Sequence, residues 1–321
     1  MKQTDVPVLY IAFARPEYAR QSFNAIKAAK PKKFYFYSNK GREGHGDEIE
    51  RNEQVKSMLK EVDWDCELHT WFREESVDVY TSLFGAINWL FQNEDFGIII
   101  EEDCVAAPAF FNFVEQMLSK YMQDERIWMI GGSNYIEGYN PHRHDYIFSH
   151  NMFIHGWASW KNRWNRVEWN NVNFKEMIDE GVFDAVFDTK QQRQFHKDRI
   201  LKYDNFVKKT HCWDIIFATT GRSRGALSIL PKYNLIKNIG IEGVHTKNTD
   251  ISIANNDVTY LKTSYDISDE PKFVLADVLW DEKVFQELHI KPKSFCNRVV
   301  RKIHKLLLIK KCIRFKKMFV L

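Results

Sequence analysis

Apolar segments alternate with segments of helical periodicity over the first 130 residues of the chain. Strands are predicted at residues 6–13, 33–38, 66–71, 98–100 and 127–131. The intervening residues 16–29, 47–59, 80–93 and 108–121 have apolar positions at helical spacing, or open with the Pro that favours a helix start. Strands alternating with helices are typical of βαβ units. We therefore predict an α/β fold with a mostly parallel central sheet flanked by helices.

The pattern becomes less regular in the second half of the chain. Residues 133–173 are rich in aromatic side chains and are predicted to be irregular, and residues 174–203 are predicted to be helical. A helix at residues 213–220 and a strand at residues 226–231 follow.

The fourth predicted strand runs directly into three carboxylates, Glu101, Glu102 and Asp103. An unbroken Ile run is typical of a strand that is covered on both faces. In open α/β sheets, ligands bind where the carboxyl ends of the strands emerge. Three adjacent acids repel one another, and a divalent cation that also binds substrate phosphates would compensate them. A solvated acidic turn after a core strand remains an open alternative.

The cysteines favour a reducing compartment. The five residues are scattered along the chain, odd in number and without a CxxC pair, which argues against a disulfide framework and a structural zinc site. The first residues lead directly into a predicted strand, and no apolar run reaches membrane-spanning length. We expect a cytoplasmic protein without a signal peptide.

Charge is distributed unevenly. Residues 291–321 contain eleven Lys or Arg and no Asp or Glu, so the first 290 residues carry 35 basic and 43 acidic side chains, a net charge of −8. In this tail, apolar and basic positions fall on opposite faces of a predicted helix, namely Val299, Ile303, Leu306 and Leu307 against Arg298, Arg301, Lys302 and Lys305. We expect the tail to bind an anionic membrane surface. A nucleic-acid patch and a disordered tail are the alternatives, but the acidic body and the lack of an RNA-binding motif disfavour nucleic acid.

Five segments resemble, in the same order, the GT-A-fold nucleotide-sugar glycosyltransferases. The greatest likeness is to the N-acetylglucosaminyltransferase I-like group and its bacterial relatives, over about residues 6–250. The segments are residues 11–16 (IAFARP), 100–108 (IEEDCVAAP), 156–160 (GWASW), 212–214 (CWD) and 238–246 (NIGIEGVHT).

This resemblance implies a domain organisation. A catalytic domain would cover residues 1–255, with a nucleotide-binding half at about residues 1–130 and an acceptor half at about residues 131–255. A polar extension (residues 256–290) and the basic tail (residues 291–321) follow.

The resemblance also implies roles around the acidic triplet. Asp103 matches the family's ligand of Mn²⁺ or Mg²⁺, and Glu102 matches an acid beside the nucleotide's ribose, with Glu101 before it in the donor site. The chain has Glu-Glu-Asp where relatives usually have Glu-Asp-Asp, which leaves open whether Glu102 contacts the metal. Arg15 matches a basic residue that contacts the diphosphate; a surface arginine at a helix start is the alternative.

Further roles follow from the other segments. Asn39 stands where the family usually has an Asp that binds uracil, and an amide can still donate and accept hydrogen bonds. Asp214 matches the general base, although an N-cap of the following helix is the alternative. His245 matches a late His that closes over the metal or diphosphate. Trp157 and Trp160 are expected to wall the donor or acceptor sugar, or else to fill the core.

The function implied is inverting transfer of a sugar to a hydroxyl group. The donor would be a UDP-hexose or UDP-N-acetylhexosamine, and the acceptor a lipopolysaccharide, capsule or lipid-linked oligosaccharide at the inner face of the cell membrane. A non-catalytic nucleotide-sugar or glycan-binding protein on the same fold is the main alternative. A metal-dependent nucleotidyltransferase ranks last because residues 12–16 (AFARP) lack a Gly-rich phosphate loop.

Overall fold

The computed structural model describes residues 3–170, 172–210, 212–240 and 263–290, without the side chains of residues 203–210. The chain divides into two compact units, Met1–Glu282 and Lys283–Leu321. In the described part of the second unit, a π-helical turn, Gln286–Ile290, follows the end of a helix, and Lys283 pairs with Glu287 at 3.3 Å.

The strands form one large sheet and one small one. The large sheet contains β1 (Val8–Ile11), β2 (Lys33–Ser38), β3 (Glu67–Phe72), β4 (Phe96–Glu101), β6 (Ile127–Gly131), β7 (Tyr146–Ser149), β8 (Trp157–Trp160) and β9 (Leu227–Pro231). Its strand order is β3-β2-β1-β4-β8-β6-β9-β7. The small sheet pairs β5 (Cys104–Ala106) with β10 (Ile236–Asn238) in antiparallel fashion.

Helices connect the strands. They are α1 (Pro16–Ala29), α2 (Gly46–Ser57), α3 (Val79–Asn93), α4 (Pro108–Lys120), α5 (Lys161–Trp164), α6 (Phe174–Asp179), α7 (Val182–Val186), α8 (Lys190–Thr210), α9 (Trp213–Ser223) and a last described helix, Val278–Phe285. A 3₁₀ turn, Met58–Glu61, extends α2. Within the described residues, we find no helix with an apolar stretch long enough to cross a bilayer.

The large sheet is mostly parallel, which confirms the predicted α/β fold. Strands β3, β2, β1 and β4 run parallel to one another, as do β6 and β9. Because successive strand residues point to opposite faces, Val8 and Tyr10 belong to one buried cluster and Leu9 and Ile11 to another. The β1–β4 core is therefore covered on both faces, as the Ile run of β4 indicates.

The prediction that residues 133–173 are irregular was wrong. This segment contains β7, β8 and α5, each only four residues long. A four-residue strand is too short to show a period, and burial of all four β8 residues removes the alternation of polar and apolar positions. Strand β8 runs antiparallel to both of its neighbours, β4 and β6.

Residues 263–282 cover β7, the edge strand of the large sheet. The Tyr265 hydroxyl donates to the carbonyl of Asp145 at 2.7 Å, and the Asp277 amide donates to the carbonyl of Phe148 at 2.8 Å. The Asp281 carboxylate accepts from the His150 amide at 3.0 Å, and burial raises the pKa of Asp281 to about 6. Covering an edge in this way removes the unpaired backbone groups that promote aggregation.

Candidate active site

The acidic triplet lies where β4 leaves the sheet. Ile98, Ile99 and Ile100 are at most 1% exposed. Glu101 pairs in register with Ile11 at the end of β1, so the turn after β1 meets the acids at the same edge. Parallel pairing of two apolar strands therefore brings together residues that are almost ninety positions apart in the chain.

Arg15, in the turn after β1, binds two of the acids at the end of β4. Its Nε donates to Glu102 Oε1 at 2.6 Å, and its Nη2 donates to Asp103 Oδ2 at 3.0 Å. The other oxygen of Glu102, Oε2, accepts from the amide of Phe13 at 2.7 Å. Burial alone would lower the pKa of Arg15, but the charges of Glu102 and Asp103 raise it, so the guanidinium stays charged. Glu102 thus fixes the first turn, with both of its oxygens occupied.

Asp214 lies near the same cluster although it is more than a hundred residues further along the chain. Burial raises the pKa of Glu101, and the charges of Asp103 and Asp214 raise it further. Packing explains the placement, because Trp213 stacks on Trp157 with ring centroids 5.4 Å apart. Trp157 in turn pairs with Ile99 of β4. The start of α9 is therefore held beside the end of β4.

The capping alternative for Asp214 does not match its position. Cys212 is the N-cap residue of α9, and Asp214 lies in the first helical turn. The Cys212 thiol donates to Asp214 Oδ1 at 3.1 Å. A carboxylate in a first turn also gains from the helix dipole, so the structure fixes Asp214 without using it as a cap.

Residues 238–240 cover Asp103 from the other side. The amide of Ile239 donates to the carbonyl of Asp103 at 2.8 Å. A Cβ at Gly240 would lie only 2.2 Å from Asp103 Oδ2, so only glycine fits there without displacing the carboxylate. The Gly240 amide donates to Asn238 Oδ1 at 2.8 Å. This segment, one of the five that carry the family resemblance, therefore packs directly on the predicted metal ligand.

His155, to which the sequence pattern assigns no role, also lies near the acidic triplet. His155 lies two residues before Trp157, the first residue of β8, which pairs with Ile99 of β4. Burial lowers the pKa of His155, whereas the charges of Asp103 and Asp214 act to raise it. The only signal in the sequence is that His155 immediately precedes the GWASW segment.

The other predicted site residues fall in different places. Asn39 Nδ2 donates to the carbonyl of Val77 at 2.7 Å, and its Oδ1 accepts from the amide of Lys40 at 3.0 Å, so the amide fixes a loop. Base recognition by Asn39 remains a prediction. Trp157 and Trp160 are at most 2% exposed. They therefore fill the core, which was the alternative to contact with a sugar. His245 lies outside the described residues, which end at Gly240 in this part of the chain.

The residues at this edge suit a metal ion that is shared with a ligand. Among the described residues, no three His, Cys, Asp or Glu side chains are placed to hold a metal ion by themselves. The Asp103 side chain is 17% exposed; its Oδ2 accepts from Arg15, and its Oδ1 accepts a long hydrogen bond of 3.6 Å from the Cys104 thiol. Mg²⁺ sites commonly use one or two carboxylates together with water and phosphate oxygens. Asp103 therefore fits a site that a phosphate ligand completes.

Two open cavities lie elsewhere on the protein. One, of about 440 Å³, is lined by residues of α6, α7 and α9 that include Glu176 and Thr220. The other, of about 470 Å³, lies between β3 and α3 and is lined by residues that include Trp71 and Trp89. The acidic triplet lines neither cavity, so the candidate site is defined by its converging side chains.

Comparisons with known proteins give structural likenesses only. No family model matches the chain, and no curated protein matches it. A mannosyltransferase from Pyrobaculum calidifontis, solved with GDP-Man and Mn²⁺, aligns with 12% identity and a TM-score of 0.35, covering 52% of this chain and 47% of that protein. The glycosyltransferase GlyE of Streptococcus pneumoniae aligns with 10% identity and a TM-score of 0.29, covering 72% of this chain and 55% of that one.

A UDP-glucose pyrophosphorylase, solved without ligand, aligns with 8% identity and a TM-score of 0.32, covering 72% of this chain and 93% of that one. The chain thus spans about half the length of the mannosyltransferase.

The Arg15 bridge generates a prediction about stability. Replacing Arg15 with Ala leaves the Glu102 carboxylate, which is 7% exposed, beside Asp103 without a cation. We expect the free energy of unfolding to fall by about 2–3 kcal/mol, slightly less than for a fully buried pair because Arg15 is 30% exposed. Urea denaturation measures this change, and a second substitution, Glu102→Gln, should recover part of the loss.

Arg20→Ala is the matched control because Arg20 lies in α1, the helix whose N-cap is Arg15, and pairs with Glu61 on the surface. Both side chains of that pair are more than 40% exposed, so the loss should stay below about 1 kcal/mol. Equal destabilisation by the two Arg variants would contradict a special role for Arg15.

Proposed function

We propose that this protein is a metal-dependent, inverting glycosyltransferase. It would move a hexose or N-acetylhexosamine from a UDP donor to a hydroxyl group of a bacterial surface glycan, such as lipopolysaccharide, capsule or a lipid-linked oligosaccharide. The observation that carries the proposal is that Trp213 stacks on Trp157, which pairs with Ile99, and so holds the start of α9 beside the acidic triplet. In keeping with this, the charges of both Asp103 and Asp214 act on Glu101 and on His155. The sequence resemblance supplies the reaction class, and this placement supports it.

Asp214 has the properties of a general base. Its Oδ1 accepts from the Cys212 thiol, which orients the carboxylate and leaves Oδ2 for an acceptor hydroxyl. In the proposed reaction, Oδ2 takes the hydroxyl proton while the acceptor oxygen forms a bond to the anomeric carbon. The bond from that carbon to the diphosphate oxygen breaks, and the nucleoside diphosphate leaves with the electron pair. Attack from the face opposite the leaving group inverts the anomeric configuration.

The donor's phosphates would lie at the edge formed by Asp103 and Arg15. A Mn²⁺ or Mg²⁺ ion held by Asp103 would supply Lewis-acid stabilisation of the departing diphosphate. Arg15 holds Asp103 and Glu102 in place, and its Nη1 has no hydrogen-bond partner among the described residues. This nitrogen is placed to donate to a phosphate oxygen, the role that the resemblance implies for Arg15.

A non-catalytic nucleotide-sugar or glycan-binding protein is the second candidate. The Asn39 amide, which stands in place of a uracil-binding Asp, is already bonded to the backbone of Lys40 and Val77. Both oxygens of Glu102 are also occupied. These contacts favour a site that recognises its donor differently from the family. The two candidates differ in the role of Asp214, which acts as a general base only in the enzyme.

The first prediction of the proposal concerns Asp214. Asp214→Asn keeps the size of the side chain but cannot accept a proton, so we expect kcat for sugar transfer to fall by about 10²–10⁴-fold. Donor affinity, measured by titration calorimetry, should stay within a factor of about two. Asp65→Asn, an exposed site elsewhere, is the control. A wild-type protein that binds the donor but never transfers the sugar would favour the binding-protein candidate.

The second prediction concerns the metal. Transfer should stop when EDTA is added and should return with excess Mn²⁺ or Mg²⁺. Asp103→Asn preserves an acceptor for Arg15 but removes the anionic ligand, so the variant should need a higher Mn²⁺ concentration for half-maximal turnover. Asp65→Asn again serves as the control. Turnover that is indifferent to chelation would exclude the metal-dependent mechanism.

We also propose that residues 291–321 hold the protein on the inner face of the cell membrane. The support is the sequence alone, because these residues lie outside the described part of the chain. Eleven cations without an acid suit anionic lipid, at about 1 kcal/mol per cation near the surface.

Vesicle co-sedimentation of the full chain tests this proposal. The protein should pellet with vesicles that contain phosphatidylglycerol and remain in solution with vesicles of phosphatidylcholine alone. Changing Arg298, Arg301, Lys302 and Lys305 to Gln should reduce the pelleted fraction several-fold, because four cationic contacts are lost. The surface variant Arg42→Gln is the control. Equal recovery of the wild type and the tail variant with anionic vesicles would contradict membrane binding by residues 291–321.

A further inference from the structure

We propose that His155 is a sugar-binding residue of this site and that Tyr135 is its positioning residue. Tyr135 orients the imidazole of His155 so that the Nε2–H group donates to a hydroxyl of a bound sugar between Asp103 and Asp214. The inference rests on the proposed function because that function places a sugar beside Asp103 and Asp214.

The backbone of His155 is fixed from the side opposite β4. The hydroxyl of Ser133 donates to the carbonyl of His155 at 3.0 Å, and the amide of Gly132 donates to the carbonyl of Gly156 at 2.9 Å. Gly156 has φ of +66°, and a Cβ there would lie 2.5 Å from Ile236 Cδ1. The chain therefore turns tightly against β10 and enters β8 with His155 at the end of β4.

The orientation of the imidazole is set by a short hydrogen bond. The hydroxyl of Tyr135 lies 2.6 Å from Nδ1 of His155. Burial raises the pKa of the Tyr135 phenol, so the phenol keeps its proton and can donate it to Nδ1. With the phenol as donor, Nδ1 is the acceptor and the ring proton of a neutral imidazole is on Nε2, which is the tautomer that the proposal requires. The Tyr135 ring is itself held edge-on to Phe153 at 4.7 Å.

The surroundings of His155 select a hydroxyl group rather than a phosphate. Burial lowers the pKa of His155 and so favours the neutral imidazole, which offers one N–H donor. Two carboxylates, Asp103 and Asp214, act on it electrostatically, and their negative field disfavours an anion beside Nε2. A sugar hydroxyl can accept from Nε2–H and donate to a carboxylate at the same time. Among the described residues, Nε2 has no hydrogen-bond partner.

Steady-state kinetics of the full-length protein test the proposal. His155→Ala removes the donor and should raise KM about 10-fold for one substrate, the one whose hydroxyl is bound, and leave KM for the other unchanged. His155→Gln places an amide N–H near the position of Nε2–H and should restore most of the loss. Tyr135→Phe keeps the ring packing and should give a smaller increase in the same KM. His69→Ala, on the exposed edge strand β3, is the control.

The tautomer of His155 gives a readout that does not depend on turnover. The ¹⁵N chemical shifts of the imidazole should show a neutral ring with the proton on Nε2 in wild type and a mixture of tautomers in Tyr135→Phe. The tautomer with the proton on Nδ1 in wild type would overturn the proposal.

The kinetic outcomes separate this inference from the proposed function. Wild-type turnover together with an unchanged KM for both substrates in His155→Ala would overturn the role of His155 and leave the function in place. A wild-type protein without sugar transfer or sugar binding would remove both.

Discussion

The site depends on one cation that lets three consecutive carboxyl groups stand at the end of a buried strand. Arg15 contacts two of them, and its position follows from the parallel pairing of β1 with β4. Without that guanidinium, Glu102 and Asp103 would repel each other in a partly buried place, and the acids would have to protonate or move apart. The third acid, Glu101, has a pKa that is raised first by burial and then by the charge of Asp103. A bound cation would relieve the charge that Arg15 leaves uncompensated.

Strand β8 is the second element on which the site depends. It enters the sheet antiparallel between β4 and β6, so its first residues arrive at the edge where the parallel strands end. Trp157 packs on Trp213 beneath that edge, which fixes the start of α9 and with it Asp214. The parallel pairing of β1 with β4 brings Arg15 to the acids, and the reversed strand β8 adds the regions of His155 and Asp214. The buried Trp pair acts on the site through packing rather than by contact with a ligand.

The sequence predicted the first half of the fold well because its signals are local. Long apolar strands, helix-opening prolines and helical periodicity gave β1 to β4 and α1 to α4 nearly at their observed bounds. The acids were found because ligands bind where strands of an open α/β sheet end, whereas Arg15 and Asp214 were found through the family resemblance. His155 was missed because its position depends on the turn at Gly156 and on the pairing of β8 with β4, which no local pattern records. The sequence also left open whether Trp157 faces a sugar or lies in the core, because its burial depends on the strands that pair with β8.

The central claim is that Asp103 and Asp214 face one ligand cleft. Paramagnetic broadening of backbone amide signals by Mn²⁺ in the presence of UDP measures this most directly. The account predicts that signals of Gly240, His155 and Asp214 broaden first, that those of Glu67 and Leu68 on the far edge strand stay sharp, and that Asp103→Asn removes the effect. Broadening around Asp103 that leaves Asp214 and His155 sharp would contradict the account.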